Sequence, residues 1–189
     1  MYTPKKYDHL LGLAGFSDQL LQNHFKLYEG YVVNSNKNFE LAQNALKVGN
    51  TYEYGEIKRR FGWEFNGMRL HEYYFDALNK TAKVLDQKSV LYKKICKDFG
   101  SFEKFNDDFR STAGMRGIGW VILYHDTVAD KLFNIWVNEH DVGHLAGEKP
   151  ILVLDAFEHA FMTDYGLKKP DYVEAFMKGI DWKVVEGRF

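Results

Sequence analysis

Apolar positions recur at helical intervals over two long stretches of the N-terminal half. After an irregular arm punctuated by Gly12 and Gly15, Ser17 and Asp18 offer a hydroxyl cap followed by an acid in the first turn. Leu20, Leu21, His24, Phe25, Tyr28, Tyr31 and Val32 then repeat with the period of an α-helix. The polar patch Asn34-Ser35-Asn36-Lys37-Asn38 predicts an interruption, after which Phe39 to Val48 resumes the pattern until Gly49. A second helix is predicted from about Glu53 to Leu78 in spite of Gly62 and Gly67. Each interior glycine costs about 1 kcal/mol relative to alanine, so both are expected to mark close backbone approach. The two segments suit an antiparallel helical hairpin.

The second half changes period. Residues 79 to 92 are polar and read as a connection between domains. Ser101 caps another helix, although Lys104 stands where a capping box has an acid. Gly114 to Gly119 is a glycine-rich turn that matches neither a dinucleotide fingerprint nor a P-loop. Trp120 to His125 and Lys131 to Val137, parted by a turn near Ala129-Asp130, read as two strands of a meander, with Ile151 to Asp155 as the third. Helices first and strands afterwards predict an α+β fold. Its expected parts are an N-terminal helical hairpin domain over residues 1–84 and a C-terminal domain over residues 85–189, with a three-stranded antiparallel sheet and surrounding helices.

Composition narrows the function. With 46% hydrophobic and 16% aromatic residues in 189, the chain has ample material for a packed core. A net charge of −1 and the absence of basic runs argue against a nucleic-acid partner. The single cysteine, Cys96, excludes an internal disulfide and any cysteine-based metal site, and reads as a small buried hydrophobe. The residues after Met1 lack the apolar core of a signal peptide, and no 18-residue apolar stretch follows. A cytoplasmic protein without membrane association is the expectation.

The chemistry gathers around Asp155-Ala156-Phe157-Glu158-His159. Asp155 closes the apolar run Ile151 to Leu154, and helical spacing begins after it. An Asp and a His four apart at such a junction can face one centre. One carboxylate oxygen with imidazole nitrogen suits manganese, iron or zinc better than calcium or magnesium; a buried salt bridge is the alternative. His24 and His71 lie on apolar faces of the two predicted helices, where a core histidine bonded to a carbonyl is the competing reading. Together the four make a set of three imidazoles and one carboxylate, which leaves a trivalent ion cationic and suited to an anionic ligand.

On these residues the sequence resembles the iron/manganese superoxide dismutases over nearly its whole length. Asp155-Ala156-Phe157-Glu158-His159-Ala160-Phe161 is similar to that family's Asp-x-Trp-Glu-His-Ala-Tyr signature. Phe99 to Phe105, Gly117 to Trp120, Lys169 to Tyr172 and Asp181-Trp182 match other segments in order. The resemblance implies one iron or manganese ion per subunit, held by His24, His71, Asp155 and His159 with a solvent molecule as fifth ligand. It implies superoxide as substrate, with Tyr31 as gateway and His140 bonding the solvent ligand; His144 is the competing assignment. Glu158 is expected to bond the ligating histidine of another subunit, giving a homodimer or larger assembly. His140 and Val153 stand where the family tunes metal preference, which favours iron or use of either metal.

The chain departs from the family at several positions. Phe157 replaces a tryptophan and Ile122 another. Tyr28 and Met162 replace a histidine and a tyrosine that bond between subunits, so a Tyr–Met contact is expected there. Gly67 stands where some members carry a glutamine, leaving room for His140. Tyr31 follows His24 by seven residues where the family has eight. Seven residues are about 700° of rotation, near two full turns, so an unbulged helix brings Tyr31 to the same face; loss of the gateway is the alternative. Two other functions remain: an inactive structural protein on this scaffold, and a non-haem iron oxygenase, against which the third imidazole counts.

Overall fold

The computed structural model describes residues 1–189, and its architecture is α+β. Helices α1 (Asp18–Lys47) and α2 (Thr51–Asp76) form the antiparallel hairpin. Ser17 Oγ accepts the Leu20 N–H at 3.0 Å and Asn50 Oδ1 accepts the Glu53 N–H at 3.2 Å, so each helix begins on a side-chain cap. The predicted break at residues 34 to 38 does not occur; α1 runs through it. Ser35 falls on the buried face, while Asn36 points outward and pairs with the backbone of Tyr2 in both directions at 2.8 Å. The patch pins the N-terminal arm. Packing against α2 overrides the few tenths of a kcal/mol by which such residues disfavour helix.

The two interior glycines of α2 separate. At Gly67 a Cβ would lie 2.7 Å from the Tyr31 ring, so close approach is the reason for the glycine. At Gly62 a Cβ would meet nothing within 4 Å, and the expectation of close approach fails there.

The 79–92 connection is shorter than expected. Helix α3 (Val90–Phe99) starts inside it, capped by Ser89 and anchored by buried Leu91 and Ile95. The sequence pattern misses it because lysines at 93, 94 and 97 dilute two apolar anchors. Helix α4 (Phe102–Ala113) begins at the predicted cap, Ser101.

Strands β1 (Gly119–Asp126), β2 (Lys131–Asn138) and β3 (Lys149–Asp155) form one antiparallel sheet in the order β2-β1-β3. The simple meander is therefore corrected: β3 pairs with β1, Trp120 opposite Asp155, and not with β2. Burial explains the order. Residues 119 to 124 of β1 are all buried, as a central strand requires, whereas β2 exposes Lys131 and Phe133. Three short helices follow: α5 (Met162–Tyr165), α6 (Lys169–Gly179) and α7 (Trp182–Glu186). One apolar core runs from Leu20 and Phe75 in the hairpin through Trp120 and Leu152 in the sheet to Phe176. The hairpin and the sheet thus share one apolar core, and α2 packs directly on β3. No helix is long and apolar enough to cross a membrane.

The glycine contrast gives a stability test. Gly67→Ala should destabilise the chain by about 1–3 kcal/mol, the cost of forcing a methyl into a filled space. Gly62→Ala should stabilise it by about 0.5–1 kcal/mol through backbone entropy alone. Urea unfolding of both variants checks this, and equal midpoints would contradict it.

Candidate metal centre

Four separate pieces of backbone bring the four expected ligands together. His24 lies on the α1 face that also carries Leu20, Tyr28 and Tyr31, and His71 lies on the facing side of α2. Asp155 is the last residue of β3. His159 sits in a 3-10 turn, Glu158–Ala160, where the spacing predicted the start of an α-helix. The tight turn follows from Asp155 itself, whose Oδ1 accepts the Phe157 N–H at 2.9 Å and bends the chain at once. Its carbonyl accepts the Tyr172 hydroxyl at 2.6 Å. That leaves Oδ2 for the centre. The Nε2 atoms of His159, His24 and His71 lie 3.0, 3.1 and 3.4 Å from it, and all four ligand atoms fall within 4.8 Å of one another.

His71 decides what the cluster is for. Its Nδ1 is 2.5 Å from the Gly67 carbonyl, which can only accept, so the ring proton is on Nδ1. Nε2 is then a bare lone pair, buried, with no hydrogen-bond partner, facing a carboxylate oxygen. Burial drives His24 below the ordinary imidazole pKa against the pull of Asp155, and drives His71 well below it, with the charge of His24 adding to the effect. Burial would raise the Asp155 carboxyl, but the charge and hydrogen bond of His159, joined by those of His24, hold it well below the usual carboxylate range. Three imidazoles around one carboxylate oxygen fit a first-row transition ion by donor type.

Beyond this set the two loop histidines divide their work. Asn138 and Val142 pair in both directions, at 2.8 and 3.2 Å, and the tight loop turns His140 inward until it is fully buried. The Trp120 indole, which can only donate, gives its N–H to His140 Nδ1 at 3.0 Å. The neutral ring therefore carries its proton on Nε2 and donates it to the Tyr31 hydroxyl oxygen at 2.9 Å. Burial holds the His140 pKa down to about 4, and burial followed by the charge of Asp155 raises that of Tyr31. His144 lies outside the set: it accepts the Tyr124 hydroxyl at 2.6 Å and donates Nε2–H to the His140 carbonyl at 2.9 Å. It braces the loop.

Tyr31 reaches this position from an unbulged α1, with its ring stacked 5.2 Å from His71. The room beside Gly67 is taken by Tyr31 and not, as expected, by His140. Phe157 keeps the aromatic wall, stacked 4.7 Å from His140 and 5.1 Å from His159. The expected Tyr28–Met162 contact between subunits is corrected. Tyr28 is fully buried; its hydroxyl accepts the Lys5 N–H and donates to Glu72 Oε1, each at 3.0 Å, while Met162 is exposed. Sequence reasoning missed Trp63, whose ring packs 4.5 Å from His140 and 5.5 Å from Tyr31. The signal was there: 63, 67 and 71 share one face of a helix at four-residue spacing.

The chain is similar to known proteins over nearly its whole length. The family described as iron/manganese superoxide dismutases, C-terminal domain, matches residues 86–188. A superoxide dismutase [Fe] of Aquifex pyrophilus is 35% identical over 96% of this chain and 89% of its own length. One of Cupriavidus metallidurans, also named for iron, is 34% identical over 94% of this chain and 90% of its own. A superoxide dismutase [Mn] of Haloferax volcanii is 31% identical over 98% and 92%.

The shifted groups set an acid limit on the metal-free chain. Unfolded histidines take up protons near pH 6.5 and unfolded aspartate near pH 3.9, approximately. His24 and His71 titrate lower when folded, so below about pH 6.5 the unfolded chain binds more protons and the stability they contribute is progressively lost. Asp155 is depressed as well, so its contribution holds above about pH 3.9 and is lost below it. The melting temperature of chelated protein should therefore fall as pH drops from about 6.5, and His71→Gln should flatten that upper part. A pH-independent melting temperature across this range would contradict the burial of neutral imidazoles.

Proposed function

The chain belongs to the iron/manganese superoxide dismutase family, and from that membership we propose that His24, His71, Asp155 and His159 hold the ion while Tyr31 and His140 serve the proton. The protein is a superoxide dismutase converting superoxide to dioxygen and hydrogen peroxide, and its metal is iron or manganese. The observation that carries the residue assignment is the bare, buried Nε2 of His71 facing Asp155 Oδ2. An inactive protein on this scaffold has no use for that juxtaposition, because an unpaired buried acceptor costs about 1–3 kcal/mol.

When bound, the ion supplies the one-electron couple through which one superoxide is oxidised and another reduced. The residues do the rest. Three neutral imidazoles and one carboxylate leave the centre net positive, which draws a small anion. Phe157, Trp120 and Trp63 wall the site against bulk water, so electrostatic attraction inside is screened less. Tyr31 remains a phenol because burial and Asp155 both oppose its ionisation. Since its oxygen accepts from His140, its own O–H is free to donate toward the reacting oxygen. His140 in turn is fixed by Trp120, so the proton it offers Tyr31 keeps one direction. Iron, or use of either metal, is the finer reading, supported by His140 and Val153 standing where the family tunes its preference.

A second copy of the chain completes the site in this reading. The side chains of His24, His71 and Asp155 are at most 1% exposed, but that of His159 is 27% exposed. Glu158 beside it is exposed, and its carboxylate makes no hydrogen bond or ion pair within the chain. A two-fold contact that brings a partner's Glu158 to the outer nitrogen of His159 would seal this side and fix the ring's tautomer.

Two experiments test the function. His71→Ala should lose metal and dismutase activity together, while His140→Gln should keep the metal and shift activity differently after separate loading with iron and manganese. A His71→Ala protein with full metal and full activity would refute the ligand set. For the assembly, Glu158→Ala should weaken association and metal retention in parallel by sedimentation and metal analysis. A fully metallated, active monomer at micromolar concentration would refute the two-fold contact.

A further inference from the structure

Trp63 stands between the Tyr31–His140 pair and a surface depression of about 360 Å³, lined in part by Arg59, Arg60, Glu139 and Val142. Its indole is held on two sides. The Arg60 guanidinium lies 3.7 Å from the ring centroid, and Arg60 is itself fixed by buried Glu64, whose Oε1 accepts from Nε and Nη2 at 2.8 Å each. The indole N–H, its only polar group, donates to Glu139 Oε2 at 3.1 Å. Glu139 immediately precedes His140, and its backbone is in the left-handed region at φ +48°. A residue with a Cβ is disfavoured there, and glycine is the ordinary occupant. The conformation is held by the Glu139 N–H, which donates to the Ile118 carbonyl at 3.1 Å. The chain thus keeps a glutamate where glycine would fit more easily, and its carboxylate meets the indole.

We propose that Glu139 is a positioning residue for dismutation: its carboxylate fixes Trp63, and Trp63 in turn fixes the Tyr31 hydroxyl against His140. Without it the indole is held on its Arg60 face alone and its N–H loses its anchor, and the depression outside gains a route for water to the two rings. The same backbone step that aims His140 inward aims Glu139 at Trp63, so both sides of the pair are set by one turn of chain. The proposal rests on the assignment of Tyr31 and His140 given above.

Three variants separate the side chain from the backbone. Glu139→Gly relieves the left-handed strain and removes the carboxylate; Glu139→Gln keeps an acceptor oxygen and the strain; Trp63→Phe removes the N–H. In a Trp136→Phe background the other two tryptophans, Trp120 and Trp182, are buried, so acrylamide quenching of fluorescence reads Trp63 directly, with or without metal. Glu139→Gly should melt no lower than the parent yet show greater quenching. At equal metal content its activity should fall about 3- to 10-fold, short of the roughly 10²-fold loss of an ångström-scale displacement. Glu139→Gln should restore both readings, and Trp63→Phe should share the activity loss of the glycine variant. Unchanged quenching in Glu139→Gly overturns the clamp. Raised quenching with unchanged activity overturns the positioning role. If His140→Gln with its metal retained also leaves activity unchanged in both the iron and manganese forms, the failure lies in the assignment of the pair and not in the clamp.

Discussion

Asp155 Oδ2 is the point on which the hairpin, the sheet and the following turn converge. Burying a carboxylate costs several kcal/mol even after relaxation, and here one oxygen is compensated by the local turn while the other faces three imidazoles. Two of those rings can turn an N–H toward it. His71 cannot, because its proton is committed to the Gly67 carbonyl. The metal-free cluster is therefore a partly satisfied network, the condition in which buried polar groups destabilise. A cation among the four groups changes the sign of the balance, since every lone pair then has a partner. Folding and metal binding are coupled through a single tautomer.

The same constraint explains why the site sits at a seam. No one element offers three imidazoles and a carboxylate at this spacing. A long helix hairpin can place two rings face to face, and a buried strand end can place a carboxylate with its backbone already paired. Those elements must share one core, as they do from Phe75 through Leu152 to Phe176, for the ligand atoms to keep their separations. The rigidity that dismutation needs comes from apolar packing, and the polar centre spends it.

Much of this was legible in the sequence. Periodicity showed α1 because one of its faces is apolar and buried, α2 was legible chiefly from its length, and the Asp-x-x-x-His pattern showed the centre because strand end and turn have different periods. What escaped was decided by neighbours distant in sequence. The polar run from Asn34 to Asn38 reads as a break until Tyr2 is seen docked on Asn36. Strand order was misread because pairing depends on which strand is buried on both faces, and local alternation does not carry that. Tyr28 was given an intersubunit role by position alone, but the arm that brings Lys5 to its hydroxyl encloses it within the chain. His140 was preferred to His144 by alignment, and the geometry separates them: one loop histidine turns inward to Tyr31, and the other holds its backbone.

The shortened interval between His24 and Tyr31 ties the remaining departures into one argument. On an unbulged helix seven residues turn about 700°, which leaves Tyr31 some 20° short of His24's own direction. That rotation carries the ring against α2, where its Cδ1 lies 2.7 Å from any Cβ that position 67 could bear. Position 67 must then be glycine, and no longer side chain can approach the centre from α2 at that level. A hydrogen-bonding partner for Tyr31 has to come from elsewhere, and the loop after β2 is the element that reaches it, with His140. On this register the Tyr31 ring fills the space a Cβ at position 67 would need, and its hydroxyl meets a histidine from a loop 109 residues away. Tyr31, Gly67 and His140 form one interlocked steric unit in the outer half of the centre, so a change at any of them displaces the other two.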